Sequence, residues 1–178
     1  MKKIASLFQR NYDGDHKVRD EVVEGSEWVI NGEGSATRKW DGTCCLIRDG
    51  KLLKRYEVKK GKTPPVNFEP ANDIDPNTGK QQGWVPVIDG PEDRWHREAF
   101  DSSLEDGTYE LIGPKVQGNP DMVEDHKLVP HGKEILKDVP LDYEGIRKYL
   151  SSLSIEGVVW HHPDGRMVKI KKRDFPKL

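Results

Sequence analysis

Residues 39–56 read Lys39-Trp40-Asp41-Gly42-Thr43-Cys44-Cys45-Leu46-Ile47-Arg48-Asp49-Gly50-Lys51-Leu52-Leu53-Lys54-Arg55-Tyr56, and this stretch decides the architecture. Thr43 to Arg48 and Lys51 to Tyr56 are each strand-like, with Asp49-Gly50 between them. A two-residue Asp-Gly connection favours the primed turns, because both of its residues accept positive φ and the turn's twist matches that of paired strands. The stretch is therefore predicted to form an antiparallel hairpin. Working outward, Thr108 to Ile112 reads as a strand between the Asp106-Gly107 turn and the Gly113-Pro114 break. Ile155 to His161 and Met167 to Lys171 read as a second hairpin around Pro163-Asp164-Gly165.

Helices are fewer. Leu141 to Leu153 carries Asp142 as an N-cap, with Tyr143, Ile146, Leu150 and Leu153 at helical spacing. Pro91 to Leu104 is a second expected helix, with Pro91 in its first turn and Trp95 and Ala99 on one face. Strands that cluster, rather than alternating with helices, indicate an α+β fold with an antiparallel sheet. Gly61 to Pro86, rich in Pro, Asn, Asp, Gly and Gln, is expected to be a flexible loop of functional use.

The 178 residues suit a single domain, 1–178. Hydrophobic residues make up 34% and mean hydropathy is -0.82, which is polar, yet five Trp, five Tyr and four Phe supply core material. The net charge of -2 gives no global sign of nucleic-acid binding. Its distribution does: Lys51, Lys54, Arg55, Lys59, Lys60 and Lys62 are opposed only by Glu57, and Lys169, Lys171, Lys172, Arg173 and Lys177 only by Asp174. Such segments are phosphate-binding surface or solvated strand faces. Cys44 and Cys45 are adjacent and have no partner elsewhere, so a reducing, cytoplasmic setting is expected. No apolar run suits a signal peptide or membrane span.

Gly61-Lys62-Thr63 imitates the end of a P-loop, but the first glycine would have to fall at Tyr56, and Pro64-Pro65 stands where a helix must begin. A better motif is Lys39-Trp40-Asp41-Gly42, a Lys-x-Asp-Gly element. A lysine attacks phosphorus only when its amine is unprotonated, a state that burial or neighbouring cations promote. Alone, the motif is better explained by a surface lysine before a turn. Glu110 in Tyr109 to Pro114, Glu156 ahead of Gly157 to Trp160, and Lys169-Ile170-Lys171 change the weighing, because they follow in a set order. An even number of residues in the terminal hairpin's loop would put Glu156, Val158 and Trp160 on one face with Lys169 and Lys171; a three-residue loop would oppose them. The even case lines one surface with a carboxylate and two ammonium groups, suited to a metal-triphosphate. A salt-bridge ladder is the structural alternative.

With these residues in view, the chain resembles the RNA ligase branch of the covalent nucleotidyltransferase superfamily. It is closest to the small family that contains the vertebrate 5′-to-3′ RNA ligase and its phage and bacterial relatives. The resemblance spans 36–173 and rests on Ala36 to Cys45, Tyr109 to Pro114, Gly118-Asn119-Pro120, Leu128 to Gly132, Glu156 to Trp160 and Lys169 to Lys171. It implies an antiparallel-sheet, ATP-grasp-like adenylation domain without an OB-fold domain, acting in RNA repair. By position, Lys39 becomes lysyl-AMP and Glu110 holds the ribose. Arg55 binds a phosphate or RNA end, Glu156 helps bind magnesium or manganese, and Lys169 and Lys171 contact the α-phosphate. Thr37, Arg38, Asp41 and Gly42 line the nucleotide. Arg38 departs from the family, many of whose members place an adenine-reading glutamate there, so backbone near Thr37 is the expected substitute and ATP rather than GTP is an inference from the family. The partners implied are an RNA 5′-phosphate and 3′-hydroxyl, with the protein a monomer.

The alternatives are a DNA nick ligase, a capping-type guanylyltransferase, or a non-catalytic RNA-binding module of the same fold. His131 stands near the expected adenine site or is an ordinary loop histidine, and His161-His162 reads as the mouth of a turn. Trp84 and Trp95 offer stacking surfaces, although core or loop anchoring suits them better. The entry to 61–86 and Trp84 are nevertheless expected to touch RNA.

Overall fold

The structure, a computed structural model, describes residues 1–177. The chain begins with β1 (Ala5–Ser6), β2 (Phe8–Arg10), β3 (Val18–Val22), the single-turn α1 (Glu27–Ile30) and β4 (Ser35–Lys39). There follow β5 (Thr43–Arg48), β6 (Lys51–Val58), β7 (Glu69–Pro70), β8 (Gln81–Pro86), α2 (Arg94–Ala99) and β9 (Gly107–Ile112). The last elements are β10 (Lys127–Pro130), α3 (Tyr143–Ser151), β11 (Gly157–His161) and β12 (Met167–Lys171). The content is α+β with mostly antiparallel sheets. No described helix is long and apolar enough to cross a membrane.

The contacts divide the chain into two compact units, each discontinuous in sequence. Unit 1 comprises Met1–Lys3 and Asp41–His131; unit 2 comprises Ile4–Trp40 and Gly132–Leu178. The chain therefore passes from one to the other between Trp40 and Asp41, one residue after Lys39.

Unit 1 is a six-stranded antiparallel sheet in the order β10-β9-β5-β6-β8-β7. Its central hairpin is the one expected from Asp49-Gly50: Arg48 faces Lys51, and the turn residues have φ of 52° and 69°. One face carries the core of Cys45, Ile47, Leu52, Tyr109, Leu111 and Leu128, with Phe100 and Leu104 packed on it. Two expectations change here. The helix expected over 91–104 is a 3-10 turn at Pro91–Asp93 followed by a short α2. Asp93 turns inward to meet Lys54, and Phe100 is extended, after which Asp101 caps the next turn by accepting the Ser103 amide. The stretch 61–86 is not all loop, because Gln81–Pro86 is a full strand against β6. Trp84, expected to touch RNA, is 3% exposed and belongs to the fold.

Unit 2 holds a four-stranded sheet, β1-β12-β11-β4, in which only β1 runs parallel to its neighbour, and a separate β2–β3 pair. Its core joins Val158, Trp160, Val168 and Ile170 of the sheet to Ile146 and Leu150 of α3. Phe8, Tyr143 and Phe175 add an edge-on aromatic trio with centroids 5.1–6.3 Å apart. Asp142 caps α3 as expected, accepting the Gly145 amide at 2.8 Å. The terminal hairpin closes between His161 and Met167, leaving 162–166 as a loop of five residues, an odd number. Strict alternation therefore opposes Val158 and Trp160 to Lys169 and Lys171, which the apolar burial of Val158 and Trp160 reflects.

Candidate functional site

In unit 2, β11 lies between β4 and β12, and the registers on its two sides coincide. Gly157 faces Lys39 on one side and Lys171 on the other; Val159 likewise faces Thr37 and Lys169. Thr37, Lys39, Lys169 and Lys171 thus share the sheet face opposite the apolar core. A Cβ at position 157 would overlap the Ile170 carbonyl oxygen, so only glycine fits. The missing side chain leaves a gap between the two lysines.

Glu156 fills that gap from outside the strand. It precedes β11, so the alternation that opposes Val158 to the lysines does not bind it. Its Oε2 lies 2.6 Å from Lys39 Nζ and its Oε1 lies 3.9 Å from Lys171 Nζ. The grouping expected from an even loop, Glu156 with Lys169 and Lys171, is replaced by Glu156 with Lys171 and Lys39, and Lys169 lies two residues along the same strand face. The side chains are 20%, 8% and 20% exposed for Lys39, Glu156 and Lys171, so the cluster is open to a ligand but partly screened from water. Burial foremost, and then the charges of Arg173 and Lys39, lower the Lys171 pKa against the pull of Glu156 and Asp174.

Thr37 and Arg38 are committed within unit 2. The Thr37 hydroxyl donates to Val159 O at 2.9 Å and the residue is 1% exposed. The Arg38 guanidinium lies 3.6 Å over the Trp40 ring and pairs with Glu134 at 3.6 Å. The Arg38 amide donates to Glu134 O at 2.9 Å, occupying backbone expected to read the base.

In unit 1, Asp41 and Gly42 lead into β5. The Asp41 amide donates to Asp121 Oδ2 at 3.0 Å. At position 42 a Cβ would overlap the Leu111 carbonyl oxygen, so this glycine answers to its own sheet as well as to any ligand. Across that sheet, Glu110 faces Cys44 and Arg55 faces Trp84. The pairing of Cys45 with Lys54 sets Cys44 beside Arg55. A polar row Glu110–Cys44–Arg55–Trp84 therefore crosses the face opposite the core. Arg55 stacks 4.2 Å over Trp84, and its Nη2 donates to Met1 O at 2.6 Å. Its Nη1 is buried without a hydrogen-bond partner. His131 Nε2 sits 2.7 Å from Glu110 Oε2, so His131 orients Glu110. Burial first, and then the Glu110 charge, push the Cys44 thiol up to about 11 despite Arg55, which keeps it an inert thiol. Both cysteines are free.

The structure thus brings Lys39, Glu156 and Lys171 into contact and puts Thr37 and Lys169 in the adjacent row. It aligns Glu110 with Arg55 in the other unit. Asp121 was missed by sequence reasoning, although it directly follows the Gly118-Asn119-Pro120 element.

The family model of RNA ligase 1 matches residues 99–176, a span that includes Glu110, Glu156, Lys169 and Lys171. RNA ligase 1 of Danio rerio is 34% identical over 78% of this chain and 66% of its own length. RNA ligase 1 of Mus musculus is 25% identical over 77% and 65%, and that of Rattus norvegicus 24% over 77% and 66%. The chain spans just under two thirds of the length of the curated relatives it matches.

Proposed function

Because the chain resembles the RNA ligase 1 family, we propose that it is an ATP-dependent RNA ligase whose nucleophile is Lys39. The observation that carries this reading is the cluster in which Glu156 is shared by Lys39 and Lys171. Lys39 Nζ attacks the α-phosphorus of ATP; a P–N bond forms as the P–O bond to pyrophosphate breaks. The amine attacks unprotonated, and Glu156, 2.6 Å away, is in reach of its proton. Lys171 and Lys169 clamp the phosphate oxygens, since phosphoryl transfer needs alignment and charge neutralisation above all. Glu110, oriented by His131, takes the ribose hydroxyls, and the partnerless Nη1 of Arg55 is a donor for a phosphate.

Among the described residues no group of three or more His, Cys, Asp or Glu could hold a metal by itself. One carboxylate, Glu156, beside a polyphosphate fits magnesium or manganese, because Mg²⁺ is commonly held by one or two carboxylates plus substrate phosphates. Such an ion supplies charge neutralisation and alignment of the phosphates. AMP then passes from Lys39 to an RNA 5′-phosphate, giving a 5′-5′ end; a 3′-hydroxyl attacks it, AMP leaves, and a phosphodiester forms. We place the protein in the cytoplasm as a monomer.

The test incubates the protein with α-labelled ATP or GTP and Mg²⁺. Covalent label from ATP that disappears in Lys39→Ala supports the proposal. No label from either nucleotide, or equal label in Lys39→Ala, overturns it, and label from GTP alone assigns capping chemistry instead. Offered nicked duplex RNA, nicked DNA and single-stranded RNA, the labelled protein is expected to seal RNA; sealing of DNA alone overturns the substrate.

A further inference from the structure

Between β9 and β10 the chain makes a loop, residues 113–126, whose part in the chemistry lies outside the roles above. Its backbone is strained: Gln117, Asn119 and Met122 have φ of 51°, 55° and 50°. Non-glycine residues persist in that left-handed region where their surroundings dictate it, and such sites cluster at functional positions. The loop is held from within. Asn119 Nδ2 donates to Val123 O and its Oδ1 accepts the Val123 amide, both at 3.0 Å. Backbone bonds tie Val116 to Gly113, Asn119 to Val116, and Met122 to Asn119. At the base, His126 Nε2 accepts the Lys115 amide at 3.1 Å, and its ring stacks on Trp95 with centroids 4.3 Å apart.

This loop presents Asp121, whose Oδ2 accepts the Asp41 amide at 3.0 Å across 80 residues of sequence. Asp41 stands two residues past Lys39, in the irregular link between β4 and β5. The next residue, Gly42, is pressed against the Leu111 carbonyl. Of the three linking residues, the central one is thus fixed by a charge-assisted hydrogen bond and the third by packing.

We infer that Asp121 is a positioning residue for the Lys39 nucleophile, acting through the Asp41 amide to fix the link that joins Lys39 to β5. The inference rests on the nucleotidyl-transfer reading given above. Loss of the acceptor frees the link, and a misplacement of about 1 Å at a reacting group costs on the order of a hundredfold in rate. Asparagine at this position keeps a carbonyl acceptor; alanine does not.

The test measures single-turnover labelling by ATP and, by NMR, hydrogen exchange at the Asp41 amide, in the wild type, Asp121→Ala and Asp121→Asn. Asp121→Ala is expected to slow labelling roughly ten- to hundredfold, with the apparent KM for ATP nearly unchanged, and to speed exchange at Asp41. Asp121→Asn is expected to restore both. Unchanged exchange and labelling in Asp121→Ala overturn the inference. So does an Asp121→Asn variant as slow as Asp121→Ala, which assigns the role to the negative charge. If Asp121→Ala fails to fold, Asn119→Gly keeps the left-handed backbone and removes the clamp on the loop; unchanged exchange at Asp41 then overturns the inference. A wild type that takes no label sinks the transfer reading, whereas a labelled wild type with indifferent variants sinks only the role of Asp121.

Discussion

Lys54–Asp93 in unit 1 and Lys39–Glu156 in unit 2 are both lysine–carboxylate pairs on a sheet, and they differ in how completely the charges are matched. Asp93 is fully buried; one oxygen meets Lys54 and the other accepts the Ile88 amide at 2.9 Å. Burial raises the Asp93 pKa, but the Lys54 and Ile88 hydrogen bonds outweigh it and hold the carboxyl below its usual value. One charge answers one charge. Glu156 is shared between two lysines, and near Lys171 the Arg173 cation, which lowers its pKa, is opposed by a second carboxylate, Asp174, leaving three cations to two carboxylates. A one-to-one pair around a fully buried carboxylate secures a chain segment. An excess of cations over carboxylate keeps a place for an anion.

The largest effect expected from this contrast is functional. Lys39→Ala should reduce covalent labelling to background while costing little stability in urea unfolding, because Glu156 keeps Lys171 as a partner. The same variant, supplied with RNA already adenylylated at its 5′ end, should still join it. Lys54→Ala is the converse case: leaving Asp93 buried without a cation should cost about 3–5 kcal/mol. Replacing both partners, as Lys54→Met with Asp93→Leu, should give part of that back. Equal destabilisation by Lys39→Ala and Lys54→Ala would dissolve the distinction. A smaller effect sharpens it. Lys171→Met should slow labelling about a hundredfold, as for loss of one transition-state donor, and leave the unfolding midpoint nearly unmoved; Lys171→Arg should retain part of the rate.

The smallest effect lies beside the matched pair, at His96. Burial foremost, with Lys54 assisting and Asp93 opposing, lowers its pKa. The unfolded chain therefore takes up a proton near its ordinary pKa of about 6.5 before the folded protein does. Stability from this group is full above that pH and falls as pH drops toward the folded pKa. The loss is about 1.4 kcal/mol for each unit separating the two values. His96→Gln should flatten the unfolding free energy over that window, and an unaltered profile would show that His96 does not set it.

Much of this was legible in local sequence. Asp49-Gly50 announced the central hairpin because a primed turn needs both residues at positive φ, and Asp142 announced α3 because a capping carboxylate stands beside a helical apolar pattern. Lys39, Glu110, Glu156 and Lys171 stood out through their order along the chain. What stayed hidden depends on distant partners. Gln81–Pro86 reads as loop because it carries Gly83 and Pro86, yet pairing with β6 makes it a strand. Trp84 reads as a stacking surface until Arg55 and the sheet cover it. The odd loop at 162–166 could not be counted before the closing pair was known. The contact from Asp121 to Asp41 leaves no periodic signal, since it joins a strained loop to a backbone amide.

The interleaving of the two units has a consequence for how the chain is made. As it emerges during synthesis, residues 41–131, which supply nearly all of unit 1, are complete before β11 and β12 exist. The strand ending at Lys39 meets residues 134–136 on one side and β11 on the other, so both partners follow the residues of unit 1, and the register with β11 waits until residues 157–161 have been added. Domains generally fold as units during synthesis, so the earlier-finished sheet forms around a tether whose other end is still unplaced. Lys39, the proposed nucleophile, is thus translated well before the strand that seats it, and its site is assembled only once residues 157–161 have been made.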